Sequence, residues 1–320
     1  MTRAAWTGAR VLLTIAIIAS VLRGFDLIAA TIALGRFSSI ALEEALVLIA
    51  VDRALMFWRW LVLIRVVSSA PLHQLARIFF VSSFLGSFLP SGIGGDAARA
   101  FQVGRQINQA GAAVASVVVD RWLGLIAVGI SGCAGVLASL AAVPDELREL
   151  TIITTILLIT SGVATLYADR VVGWLLPPAN GGGRLTVAIH RLSSALALYR
   201  RYPRELWLVG GLSLAVQAVR ITLAWAIGSG LGITLPFSYY WVFMPLNILI
   251  ILLPLSLGGF GLPQGTMVWT LGPLGVAPTE AFLLSLLFVL AGVVGNLPGA
   301  LLYAFGPSRD KPTGGGRQVG

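Results

Sequence analysis

Cysteine, lysine and histidine are almost missing from this 320-residue chain. The one cysteine, Cys133, excludes an internal disulfide and a multi-cysteine metal site, and reads as core packing. The two histidines, His73 and His190, stand far apart, and there is no H-E-x-x-H, G-x-S-x-G or P-loop motif. No cofactor, metal or enzymatic activity is therefore expected. Charge is scarce as well, at 11% of residues, where soluble domains carry roughly a quarter. With 57% hydrophobic residues and a mean hydropathy of +0.91, a soluble fold would have no surface on which to put its apolar side chains. The apolar runs are too long and too unalternating for an outer-membrane barrel. What remains is an all-α, polytopic helical membrane protein.

Acids are outnumbered, 13 to 22, and arginine supplies every basic residue except Lys311. In a soluble protein a net charge of +9 would suggest nucleic acid. Here most of the charge falls in loops, so it reads as orientation and contact with anionic headgroups, with no nucleic-acid partner. Apolar runs place spans at 6–22, 40–64, 110–140, 151–168, 206–231 and 280–304. Arginines precede the first span and follow the second, fourth and last, whereas the alternate loops are acidic or neutral. The positive-inside rule then puts both termini in the cytoplasm. Residues 1–305 read as one transmembrane domain and 306–320 as a disordered cytoplasmic tail. The stretch 184–201 spaces Leu185, Ile189, Leu192, Leu196 and Tyr199 along one helical face opposite basic residues, and reads as a helix on the cytoplasmic membrane surface.

Two segments, 74–108 and 239–274, are interrupted by proline and glycine. By the charge count, each must enter and leave on the same face, one from each side, unless each holds two short full spans. They share a pattern: "FLPSGIGGD" (88–96) and "LLPLSLGGF" (252–260) align Pro90 with Pro254, Gly94 with Gly258 and Gly95 with Gly259. Two re-entrant, broken helical hairpins in an inverted-repeat arrangement are the expected architecture. Transporters built this way place the substrate where the broken helices meet. Proline removes a donor and ends a helix, paired glycines allow the turn, and freed backbone groups must line protein or a wet cavity. The returning half-helix begins with bare N–H groups and a positive dipole end, which suits an anion such as a lipid phosphate.

The polar residues inside these spans are few. Asp96 reads equally as an N-cap and as a functional carboxylate. Arg99, one turn on, is a candidate phosphate clamp or an i,i+3 partner of Asp96. Asp52-Arg53 and Asp120-Arg121 are adjacent opposite charges, read as structural pairs or functional groups alike. Arg220 stands alone in its span and needs Asp52, Asp96 or Asp120. Arg59, near the inner boundary, reads as snorkelling, and the aromatics of "SYYW" (238–241) as an interfacial belt.

The stretch 84–125, with "FWRWLVL" and "LLPLSLGGFGLPQGTMVWTL" (252–271), resembles the flippase-like family named after the transmembrane region of lysylphosphatidylglycerol synthases. The resemblance implies translocation of an anionic phospholipid or a lipid-linked sugar on a polyprenyl carrier between leaflets of the inner membrane. The family's acid and arginines fall on Asp96, Arg99 and Arg121. Arg220 and the backbone at Gly94, Gly95, Gly258 and Gly259 complete the expected substrate site, with Pro90 and Pro254 as the structural breaks. Where the family often has a glutamate after the second glycine motif, this chain has Gln264. The synthase's aminoacyl-transfer domain is not expected here. Two other readings stay open: a small-solute secondary transporter, and a non-transporting membrane subunit that assists a glycosyltransferase partner.

Overall fold

The computed structural model describes residues 27–35, 37–87, 93–139, 145–175, 183–252 and 261–305. The expected span at 6–22 and the tail at 306–320 lie outside the described residues. Every regular element among the described residues is helical. A short helix α1 (Leu27–Gly35), to which the sequence reading assigns nothing, precedes α2 (Ser39–Arg65). Next come α3 (Leu72–Ser87), α4 (Ile93–Ile107), α5 (Ala110–Ala138), α6 (Asp145–Leu166) and α7 (Ala168–Leu175). After α8 (Arg184–Leu198) and a 3-10 turn (Tyr199–Arg201) follow α9 (Pro203–Gly230), α10 (Phe237–Leu252), α11 (Leu262–Leu271) and α12 (Pro278–Ala304).

Helices α5, α9 and α12, with α6 from Arg148 onward, are long and apolar enough to cross a membrane. The expected spans 110–140, 206–231, 280–304 and 151–168 fall on these four, and 40–64 falls on α2. Helix α2 is as long, at 27 residues, but carries Asp52, Arg53 and Arg59 in its interior. Helix α6 starts six residues before the expected span, and an exposed Asp145–Arg148 ion pair of 2.7 Å lies in its first turn. Its outer face keeps Ile153, Ile156 and Leu157 exposed, an apolar surface that suits lipid and not water.

Helix α5 is the hub. It packs against α2, α4, α6, α8, α9 and α10 because its sequence is rich in small residues that let backbones approach. A Cβ on Gly135 would lie 2.3 Å from the Trp241 carbonyl of α10. Helix α12 meets α3 the same way: a Cβ on Gly299 would lie 2.0 Å from the Phe80 carbonyl oxygen. Gly135→Ala and Gly299→Ala are therefore expected to lower the melting temperature of the solubilised protein, each at a cost of about 1–3 kcal/mol. Gly210→Ala, with nothing within 4 Å of its Cβ, is the control and should not lower it.

The first interrupted segment is a pair of antiparallel helices. Gln106 Nε2 of α4 donates to Gln74 Oε1 of α3 at one end. At the other end, Gly95 lies so close that a Cβ would meet Ser82 O at 2.7 Å and Gly86 Cα at 2.8 Å. In the second segment α11 packs against α10, with Asn247 Nδ2 donating to Pro263 O at 3.0 Å. None of the four helices exceeds 16 residues, about 24 Å at 1.5 Å per residue, against a hydrocarbon core of about 30 Å. The connecting residues 88–92 and 253–260, which hold Pro90, Pro254, Gly258 and Gly259, lie outside the described residues.

Helix α8 and the 3-10 turn occupy the expected 184–201, but only the C-terminal half of the apolar face is buried. Leu196 and Tyr199 pack with Leu63, Ala115 and Val209, and the Tyr199 hydroxyl donates to Leu63 O at 3.1 Å. Leu185, expected on the same face, is 75% exposed, because the protein surface ends before it. Of the "SYYW" aromatics, Tyr239 and Trp241 stay partly exposed, and one departs from the belt. Tyr240 is fully buried against Phe243 and Gly228, since α10 turns this face inward onto α9.

Candidate functional site

Three stripes of polar residues face one another inside the helix bundle. Asp52, Met56 and Arg59 sit at i, i+4 and i+7 on α2, so they share one face. Ser213, Gln217 and Arg220 repeat that spacing on α9, which packs along α2. Asp120, Arg121 and Gly124 come from α5. The first turn of α4 adds Asp96 and, one turn on, Arg99.

Each aspartate gathers arginines. Asp52 accepts from its neighbour Arg53 through both Nε and Nη2. It also accepts from Arg220 Nε at 2.8 Å, which settles the partner of Arg220 among its three candidates. Asp120 does not pair with its neighbour Arg121. Asp120 instead accepts Arg59 Nε at 2.7 Å and Nη2 at 3.0 Å. Arg121 turns to Asp96, which also accepts Arg99 Nη2 at 2.6 Å. Arg99 and Asp120 stand 4.0 Å apart, which joins the two groups.

Two sequence expectations change. Arg59 does not snorkel: it is 5% exposed, and Gly124 makes room for it, since a Cβ there would lie 3.0 Å from Arg59 Nη1. A bidentate carboxylate in the interior holds a guanidinium more firmly than the boundary draws it out. Asp96 is not an N-cap. Helix α4 begins at Ile93, so Asp96 stands inside the first turn with its carboxylate on two arginines.

The two family arginines are placed differently. Arg99 is buried beneath the site, its guanidinium carbon 5.3 Å from the Trp60 ring and 5.4 Å from the Phe79 ring. Arg121 keeps 38% of its side chain exposed. Gly95 serves the close approach of α3 and α4, and half-buried Gly94 precedes it.

Two adjoining cavities run through this cluster. The larger, about 290 Å³, is lined by the polar residues Arg53, Arg121, Gln217 and Arg220 and by the apolar residues Ile49, Leu125, Val128, Leu223 and Phe288. The smaller, about 170 Å³, reaches Gly95, Asp96, Arg99 and Asp120. Arg53, Arg121 and Asn296 line both. The last turns of both interrupted helices reach the larger cavity, α3 through Gly86 and Ser87, α10 through Ile248 and Ile251. Asn296 of α12 ties two of these parts together: Oδ1 accepts from Arg53 Nη1 at 2.9 Å, and Nδ2 donates to Ser87 Oγ at 2.8 Å. Among the described residues around the cavities, five arginines meet three aspartates, a formal surplus of two positive charges.

The profile of the lysylphosphatidylglycerol synthase TM region family matches residues 8–299. The chain belongs to this family. No individual curated protein matches it. As a member of the lysylphosphatidylglycerol synthase TM region family with several membrane-crossing helices, it is a multi-pass membrane protein. Its Gln264 is a buried cap: Oε1 accepts from Gly261 N at 2.6 Å, where Gly261 has φ +100° at the start of α11. Arg53 was weighed from the sequence only as half of a pair with Asp52, and Gln217 and Asn296 were not singled out. Gln217 and Asn296 are amides set in otherwise apolar runs, and that signal was there to find.

Proposed function

We propose that this protein carries the headgroup of an anionic lipid, a phospholipid or a polyprenyl-linked sugar, between the leaflets of the inner membrane. The observation that carries the reading is the surplus of two positive charges in cavities walled by membrane-crossing helices. Burying charge in hydrocarbon is costly, and it is offset when an anion enters. Arg53, Arg121 and Arg220 would hold the phosphate, while Asp96 and Asp52 keep the guanidiniums in place. The larger cavity is lined by both charged and apolar side chains, which suits an amphiphile better than a small solute.

In this reading α3–α4 and α10–α11 are re-entrant hairpins from opposite faces, with the last turns of α3 and α10 bordering the larger cavity. Both termini lie in the cytoplasm, as the loop arginines direct. The test uses purified full-length protein in vesicles containing a fluorescent phosphatidylglycerol, with a membrane-impermeant quencher reporting the outer leaflet. Protein-dependent exchange between leaflets is expected. An unchanged quenching trace relative to empty vesicles would contradict the reading and favour a subunit that acts only beside a partner enzyme.

A further inference from the structure

One buried polar group in the larger cavity has no work in the network described above. Gln217 is 1% exposed, lines that cavity, and its Oε1 has no hydrogen-bond partner among the described residues. A carbonyl buried without a partner is destabilising, and native proteins seldom leave one without a reason. Ser213, one turn before it, is committed to Val209 O, and Arg220, one turn after it, to Asp52. Neither relieves Gln217. The amide therefore stands beside a cationic cluster, within the walls of an open space, with capacity to spare.

We infer that Gln217 reads the headgroup beyond its phosphate, and that the group it reads is a hydroxyl of a polyol or sugar. The inference rests on the proposed lipid site and specifies its substrate class. Oε1 needs a donor. Hydroxyls and ammonium groups both donate, but the surplus positive charge around the cavity repels an ammonium. A hydroxyl carries no charge. It both donates and accepts, so it pairs with either end of the amide, and adjacent hydroxyls can engage both ends at once. With Arg220 one turn away on the same stripe of α9, phosphate on the arginines would bring the next few atoms of the headgroup to Gln217. Phosphatidate lacks the hydroxyl, and phosphatidylethanolamine offers a cation in its place.

The test measures preference, which a purely structural role would not move. Full-length protein in detergent is offered equal amounts of phosphatidylglycerol, phosphatidate and phosphatidylethanolamine, and bound lipid is read by native mass spectrometry. The wild-type ratio of bound phosphatidylglycerol to phosphatidate is the reference, since phosphatidate carries the larger negative charge and suits the arginines without the hydroxyl. Gln217→Leu and the volume-conserving Gln217→Met should each lower that ratio by about tenfold, the worth of one well-placed hydrogen bond. Both should melt no lower than wild type, since each removes an unpaired amide. An unchanged ratio in both variants, or a wild type that favours phosphatidylethanolamine, would overturn the inference. Leaflet exchange is scored separately. Its absence beside a Gln217-dependent preference would remove the translocation reading and leave this assignment standing.

Discussion

Asp120→Ala is expected to leave little folded protein. Asp120 is 2% exposed and is the only carboxylate within ion-pair distance of Arg59 among the described residues. Its removal strands a guanidinium in the interior, with only a 3.4 Å contact to Ser213 Oγ left. Breaking a buried pair in this way costs about 3–5 kcal/mol. The double variant Arg59→Met, Asp120→Leu removes both charges together and should recover most of the loss, because Arg99 retains Asp96. Asp145→Ala breaks an ion pair of similar length, but Asp145 is 79% exposed, so no measurable change is expected. Size-exclusion profiles and melting curves of the solubilised protein check all three. A stable Asp120→Ala protein would mean that the interior is far wetter than the packing indicates.

Four of the six expected spans were legible because a run of about twenty apolar residues has few other uses, and their ends were marked by arginine and proline. Helix α1 was not, since nine apolar residues beside a longer run carry no signal of their own. The interruptions were legible as well: both expected segments resolve into two short helices, though the turns that would show the break directly lie outside the described residues.

The site was legible in its charges and not in its pairings. Arg220 had three candidate acids, and only the rotation of α2 against α9 selects Asp52. Asp120-Arg121 looked self-neutralising in the linear sequence, yet the helix sends the two side chains to different partners. Arg59 was misread because its distance from the helix end and its tryptophan neighbours suit a boundary residue. The better clue was the spacing of seven from Asp52, which sets both on one face. Exposure reversed the weight given to the family arginines. Arg99 is buried against the Trp60 and Phe79 rings, and Arg121 is the more exposed of the two.

Arg121→Gln is accordingly expected to impair lipid movement more than stability. Its side chain is the most exposed of the five arginines, so its loss strands little, while Asp96 keeps Arg99. A charge-assisted contact to phosphate contributes about 1.5–3 kcal/mol, which corresponds to a slowing of roughly 10- to 150-fold if that contact is made at the transport barrier. Arg53→Gln should slow exchange similarly, since Arg53 lines both cavities. The decisive measurement is the rate of phosphatidylglycerol exchange between leaflets in vesicles holding equal amounts of folded wild type and the Arg53→Gln, Arg121→Gln double variant. Exchange in the wild type that falls to the protein-free level in the variant is the predicted result. Equal rates in the two would show that the arginine-lined cavities are not the path of the headgroup.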